Sequence, residues 1–297
     1  MSTQKDIPTN NGVQRVVVFG ASGFIGKAIV SQLTKDNISV LSLSSKEVDL
    51  FNHQSIEKIS TLVKPTDSVI LLSALTPDKG KDIATFNKNI AMMANLVAAL
   101  KMSGCAHFVY FSSDAVYSSQ SDYVNENTPA APEDLYGLMH RTREIMGKEL
   151  TAPYLILRPT LVYGDGDTHN AYGPNRFLRS ALSSGKISLF GGGEELRDHI
   201  AVEDIAELVI LCLQDKAQGI LNLATGNSTS FFEVATLVKS KLPLNVQIEK
   251  FARQTPIWHR HFDITNLIKR FPKLQFQELT TYLKSDKLPT KGKNSNG

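Results

Sequence analysis

Tyr136 and His140 lie four residues apart in the stretch DLYGLMHRTRE, Asp134 to Glu144. In a helix that spacing puts both side chains on one face. A phenol on such a face can hold the proton that a reaction at a carbon–oxygen bond must move. With an ordinary pKa of about 10 it is a poor base at neutral pH unless a cation stands one turn away. A lysine would supply that charge. The sequence instead supplies His140, whose imidazole titrates at about 6.5 and carries at most a partial charge at neutrality. Uncharged, it still has one ring nitrogen to donate and one to accept, enough to hold a hydroxyl of a bound molecule. Arg141 and Arg143 are expected to point elsewhere, because adjacent helix positions do not share a face.

A second chemical signature lies near the start of the chain. VVVFGASGFIG places Gly20, Gly23 and Gly26 directly after an apolar run and at the start of a helical pattern. The first glycine suits a tight turn, the second lets backbone approach a pyrophosphate, and the third lets helix and strand pack closely. Ser22, Phe24 and Ile25 fill the turn, and the helix start offers N–H donors to phosphate. This is the pattern of a dinucleotide site. The second strand ends LSLSSKEVDL, with Ser44, Ser45 and Lys46 and no acid before Glu47. Hydroxyls and an ammonium favour a 2′-phosphate, so NADP is expected, with NAD as the alternative.

These residues need a framework. The runs 15–19, 38–43, 68–73, 107–112 and 154–159 are continuously apolar and β-rich, with helical patterns near 24–36, 53–63, 84–102 and 133–150 between them. Continuous hydrophobicity means strands covered on both faces, hence an α/β fold with a doubly wound parallel sheet. A helix near 203–214 and a strand at 220–224 are expected to return to that sheet. The expected division is a dinucleotide-binding domain of 14–168 and 199–226, a smaller substrate-binding domain of 169–198 and 227–284, and loose tails at 1–13 and 285–297. The net charge of +3 is too slight to indicate a nucleic-acid or membrane partner. The longest apolar run, 205–213, contains Glu207 and is too short to span a bilayer. Cys105 and Cys212 lie in apolar surroundings, as expected of packed thiols in a reducing, cytoplasmic compartment. The pair His259 and His261 lacks further ligands in sequence, so no metal is expected.

GASGFIG, FSSDAVY, YGLMHRTRE, LRPTLVYG, RDHIAVEDIAELV and LNLATG occur in an order that resembles the extended short-chain dehydrogenases/reductases, and within them the NAD-dependent epimerase/dehydratase group acting on nucleotide sugars. The resemblance spans roughly residues 14–280. It implies a Rossmann-type fold, a homodimer and a nucleotide-sugar substrate. It also implies that Tyr136 is the acid/base, that Ser113 hydrogen-bonds the reacting oxygen, and that His140 occupies the place of the family's lysine, with Glu144 at a position often glutamate. Asp114 is present where the dehydratases of the family carry Asp-Glu, but Ala115 replaces the glutamate. Elimination of water then lacks its base, leaving reduction of a 4-keto sugar or epimerisation. By the same resemblance, Asp49, Leu50, Ser73, Ala74, Leu75, Asn89, Tyr136, His140, Pro159 and Val162 line the cofactor, and Asp114, Asn175 and Arg197 contact the substrate. A second reading is a cofactor-binding regulatory or scaffold protein in which His140 marks weakened or lost chemistry.

Overall fold

The computed structural model describes residues 12–167, 170, 172–243 and 245–283. The expected tails therefore fall outside the described residues except for residues 12 and 13, and Val13 is buried. The chain forms two compact units, one of residues 1–116, 130–158 and 205–221 and one of 117–129, 159–204 and 222–297. Thus 117–129, 160–167 and 199–201 group with the second unit.

The first unit is built on six strands: β1 (Arg15–Phe19), β2 (Ser39–Leu43), β3 (Asp67–Leu71), β4 (His107–Phe111), β5 (Tyr154–Pro159) and β6 (Gly219–Leu223). Their order in the sheet is β6-β5-β4-β3-β1-β2. The β1–β2, β1–β3, β3–β4 and β4–β5 pairs are parallel. All five residues of β3 and of β4 are buried, the double coverage that their unbroken apolar character predicts. At the start of the β1–β3 pair the Arg15 guanidinium binds the Asp67 carboxylate, which fixes the register. The helices are α1 (Phe24–Lys35), α2 (Ser55–Leu62), α3 (Ile83–Ser103), α4 (Leu135–Met146) and α5 (Val202–Gln214).

Helix starts differ in a way that matters for binding. α3 and α4 are capped by Asp82 and Asp134, whose carboxylates accept the Thr85 and Gly137 N–H groups at 2.8 Å. α1 begins at Gly23 with no side-chain cap. Its first N–H groups are left to a partner from outside, with no carboxylate to repel an anion.

The second unit holds a three-stranded sheet of 161–163, 196–201 and 228–230, a parallel pair of 186–190 with 247–251, and helices at 174–184 and 231–241. Phe177, Ile187, Leu189, Phe231, Val234 and Val238 close its core.

Candidate active site

The sheet order reverses at β1: the chain next adds β2 on one side of it and then crosses to add β3 on the other. Ligands of open α/β sheets bind at the carboxyl ends of strands at such a point. The glycine turn stands there. Gly20 has φ of +93°, and a Cβ on it would stand 2.8 Å from the Ser73 nitrogen at the end of β3. A Cβ on Gly26 would be driven into the Gly20 carbonyl oxygen. Gly23 has an ordinary φ of −74° and contributes room and an uncapped helix start. The cradle and the free first turn of α1 fit the diphosphate of a dinucleotide.

In the same unit α4 carries Tyr136 on the wall of a cavity of about 150 Å³, lined also by Leu75, Lys81, Asp82, Asn89 and Asp134. Ser113 stands at the turn 114–116 after β4, near enough to favour the Tyr136 phenolate, and its Oγ accepts from the Ala115 N–H at 3.1 Å. Burial pushes that phenol up to about 12, helped by the Asp114 charge and opposed by the Ser113 hydrogen bond and the Arg143 cation. Tyr136 is therefore held protonated, the form that donates to an oxygen. Gly137 makes this approach possible: a Cβ there would run into the Ala115 carbonyl oxygen and stand 2.9 Å from Pro132. Gly137→Ala must push the Ser113 turn away from Tyr136. We expect a kcat loss of roughly tenfold or more, with a stability loss of about 1–3 kcal/mol from overpacking. Steady-state kinetics with a thermal melt checks both.

His140 is fully buried, with its ring edge-on to Tyr136 at a centroid distance of 4.7 Å. Its Nδ1 lies 2.7 Å from the Tyr110 hydroxyl, and its Nε2 has no hydrogen-bond partner. Burial, reinforced by the Arg143 charge, holds the imidazole neutral, with its pKa well below 6.5. Of the two forms the sequence leaves open, burial favours the uncharged imidazole. Burial also raises the Tyr110 phenol, so it keeps its proton, and the Arg143 guanidinium lies over its ring. The Tyr110 proton consequently goes to Nδ1, and Nε2 carries the other ring proton. A buried N–H donor without a partner costs free energy until something accepts from it. That orphan fits the ribose hydroxyl of a nicotinamide nucleotide.

A scan against family models matches residues 16–224 to the NAD dependent epimerase/dehydratase family. The chain belongs to this family. It is 26% identical over 220 residues to the N-acetyl-alpha-D-glucosaminyl-diphospho-ditrans,octacis-undecaprenol 4-epimerase of Escherichia coli O157:H7; the match covers 69% of this chain and 64% of that enzyme, less than two thirds of its length. The UDP-glucose 4-epimerase of Thermus thermophilus, solved in complex with NAD, superposes with a TM-score of 0.80 at 20% identity, covering 91% of this chain and 97% of the other. A GDP-L-fucose synthetase from Naegleria fowleri bound to NADP gives a TM-score of 0.80 at 16% identity, covering 95% and 93%. These two likenesses carry the fold, and the structures hold NAD in one case and NADP in the other.

Other expected site residues of this epimerase/dehydratase chain take distinct places. Asn89, on the cavity wall, also pins the loop after β3: its amide accepts from the Leu75 N–H at 2.8 Å and donates to the Leu75 carbonyl at 3.0 Å. Asp49 accepts from the Phe51 N–H at 3.0 Å, and the Leu50 carbonyl takes the Asn95 amide at 2.9 Å. Glu144 accepts from Ser112 and, through both oxygens, from Arg158 in a buried ion pair, with Arg141 at 3.1 Å. Ser44 is not a free donor, since its N–H at 2.8 Å and its hydroxyl both bind the Glu47 carboxylate. The second strand therefore ends in a carboxylate after all, folded back from three residues downstream. Lys46 and Ser45 are exposed.

In the second unit, both the Nε and Nη2 of Arg197 bind Glu195 Oε1, at 2.8 and 2.6 Å. Arg253, which the sequence did not single out, shares Glu195 and binds Glu194 at 3.0 Å. Asn175 is buried and accepts from the Gly164 N–H at 3.3 Å. Asp198 is also buried, and its carboxyl rises to about 6 despite hydrogen bonds from Thr225 and Gly226. Pro159 and Val162 belong to this unit as well. Among the described residues no group of three His, Cys, Asp or Glu side chains gathers for a metal, and His259 Nδ1 accepts from the Leu196 N–H.

Proposed function

We propose that this family member is an NAD(P)-dependent oxidoreductase on a nucleotide-activated sugar, reducing a 4-keto sugar or epimerising a carbinol. The cluster of Ser113, Tyr136 and His140 beside the glycine cradle carries this reading. The nicotinamide, when bound, accepts or returns the hydride. Tyr136 donates its proton to the keto oxygen in reduction, or takes the hydroxyl proton in the reverse direction. Ser113 hydrogen-bonds that same oxygen and fixes its position, and His140 Nε2–H holds the ribose. Asp114 and the cavity beside Tyr136 are assigned to the sugar; for Asn175 and Arg197 the family resemblance alone supports a substrate contact, the latter through a guanidinium fork that suits a diphosphate. Ala115 removes the acid that elimination would require. The exposed apolar residues Ile83, Met102, Leu138 and Ile145 on α3 and α4 support a homodimer through those helices. The two free cysteines suit the cytoplasm, and no helix among the described residues is long and apolar enough to cross a membrane.

Thermal-shift titration with NAD, NADP and UDP-, GDP-, CDP- and dTDP-sugars, followed by hydride turnover on 4-keto sugars, tests the reading. A cofactor shift without any sugar response would remove its substrate half and favour the regulatory alternative. Between the cofactors, Lys46 attracts a 2′-phosphate and the Glu47 carboxylate repels one. Glu47→Gln should therefore tighten NADP relative to NAD by about tenfold, on the scale of one nearby exposed charge. An unchanged ratio would show that Glu47 does not reach the ribose.

A further inference from the structure

The proposed chemistry leaves one buried cation without a task. Arg143 is fully buried, yet the neighbouring Glu144 is committed to Arg158, Arg141 and Ser112. The guanidinium of Arg143 donates to the Ser73 carbonyl at 2.9 Å and reaches the Met139 sulfur at 3.9 Å, while its Nε has no hydrogen-bond partner. No carboxylate pairs with it among the described residues. A guanidinium cannot shed its charge when buried, so such a placement is costly and its field is unscreened.

Where that field acts follows from helix geometry. Position 143 lies three residues beyond His140 and seven beyond Tyr136, on the same face of α4. The expectation from sequence that Arg143 points elsewhere is corrected, because it compared Arg143 with its immediate neighbours instead of with 140 and 136. The guanidinium carbon packs 5.1 Å from the Tyr110 ring centroid, and Tyr110 in turn holds His140 Nδ1. Its charge adds to the burial that holds His140 neutral and opposes the burial that raises the Tyr136 phenol.

We propose that Arg143 is the fixed positive charge of the site. It acts through Tyr136 from a turn deeper in the helix, while neutral His140 keeps only the donor that holds the ribose. The two tasks of a single lysine are thus divided between two residues. This rests on the proposed function for its meaning, but its test does not need turnover. Difluorotyrosine incorporated at position 136 lowers the phenol into an accessible pH range, and fluorine NMR of the cofactor-free protein reads that one residue. Arg143→Met should raise the titration midpoint by about one pH unit, the scale of a charge some turns away at intermediate dielectric, and Arg143→Lys should restore most of the shift. A folded Arg143→Met protein with an unchanged midpoint would overturn the assignment. Should Arg143→Met not fold, His140→Lys decides. Beside Arg143 the new ammonium meets a like charge, so His140→Lys alone should lose stability, and adding Arg143→Leu should recover it. A His140→Lys protein as stable as the original, with no gain from the second change, overturns the proposal equally. A chain that turns over no sugar but shows the Arg143 shift would refute the function and leave this inference standing.

Discussion

Tyr136→Phe should lower sugar turnover by about 10²- to 10⁴-fold, the range attributable to one positioned general acid or base. The ring would remain in place, edge-on to His140 and on the cavity wall, since the substitution removes just the hydroxyl. Cofactor affinity should therefore stay within a few fold, because neither the glycine cradle nor His140 Nε2 is touched. The loss should fall on kcat, as expected of an interaction made in the transition state. Ser113→Ala should lower kcat too, by a smaller factor, since Ser113 anchors the oxygen without moving its proton. Rates within tenfold of the original protein for Tyr136→Phe would place the proton donor elsewhere and sink the proposed mechanism. Kinetics run beside a cofactor thermal-shift assay separates these outcomes.

Glu144→Ala should produce the largest loss of stability, about 3–5 kcal/mol, the cost of stranding one partner of a buried ion pair. Both Glu144 and Arg158 are almost wholly buried, and Arg158 reaches the two carboxylate oxygens at 2.8 and 2.7 Å. Removal takes two charge-assisted hydrogen bonds from the buried Arg158 guanidinium. It also frees Ser112, whose hydroxyl donates to Glu144 at 2.7 Å and which immediately precedes the proposed oxygen anchor. Glu144→Gln should cost less, because the amide oxygen still accepts. By contrast Arg141→Ala should change stability by less than about 1 kcal/mol, since its side chain is partly exposed and its pairing screened. Denaturant midpoints of the three variants test the ranking; a Glu144→Ala protein no weaker than Arg141→Ala would show that the pair contributes little.

Continuous apolar runs such as RVVVF and HFVYF made the six-stranded sheet legible, because double burial leaves no polar positions to alternate. The order of motifs carried Tyr136 and Ser113, and Tyr136 lines a cavity at the start of α4. What escaped was set by side-chain reach and by short elements. Glu47 reads as a loop acid, but its side chain folds back to end β2. Arg143 escaped because helix faces repeat at three, four and seven residues and not at one. In the second unit the strand KISLF does alternate exposed and buried residues, and Ser230 with Glu233 forms a capping box ahead of 231–241. Those two signals were present in the sequence and went unread. Asn89 could not have been resolved from sequence, since an amide serves a ligand and a loop backbone equally well.

The pairing of Tyr110 with one edge of the His140 ring has a practical corollary. One nitrogen is already committed inside the protein, and the other waits for an acceptor. Loading the site should leave the first as an internal standard and move the second, so a nitrogen-15 spectrum of this single imidazole would report occupancy directly, without any turnover.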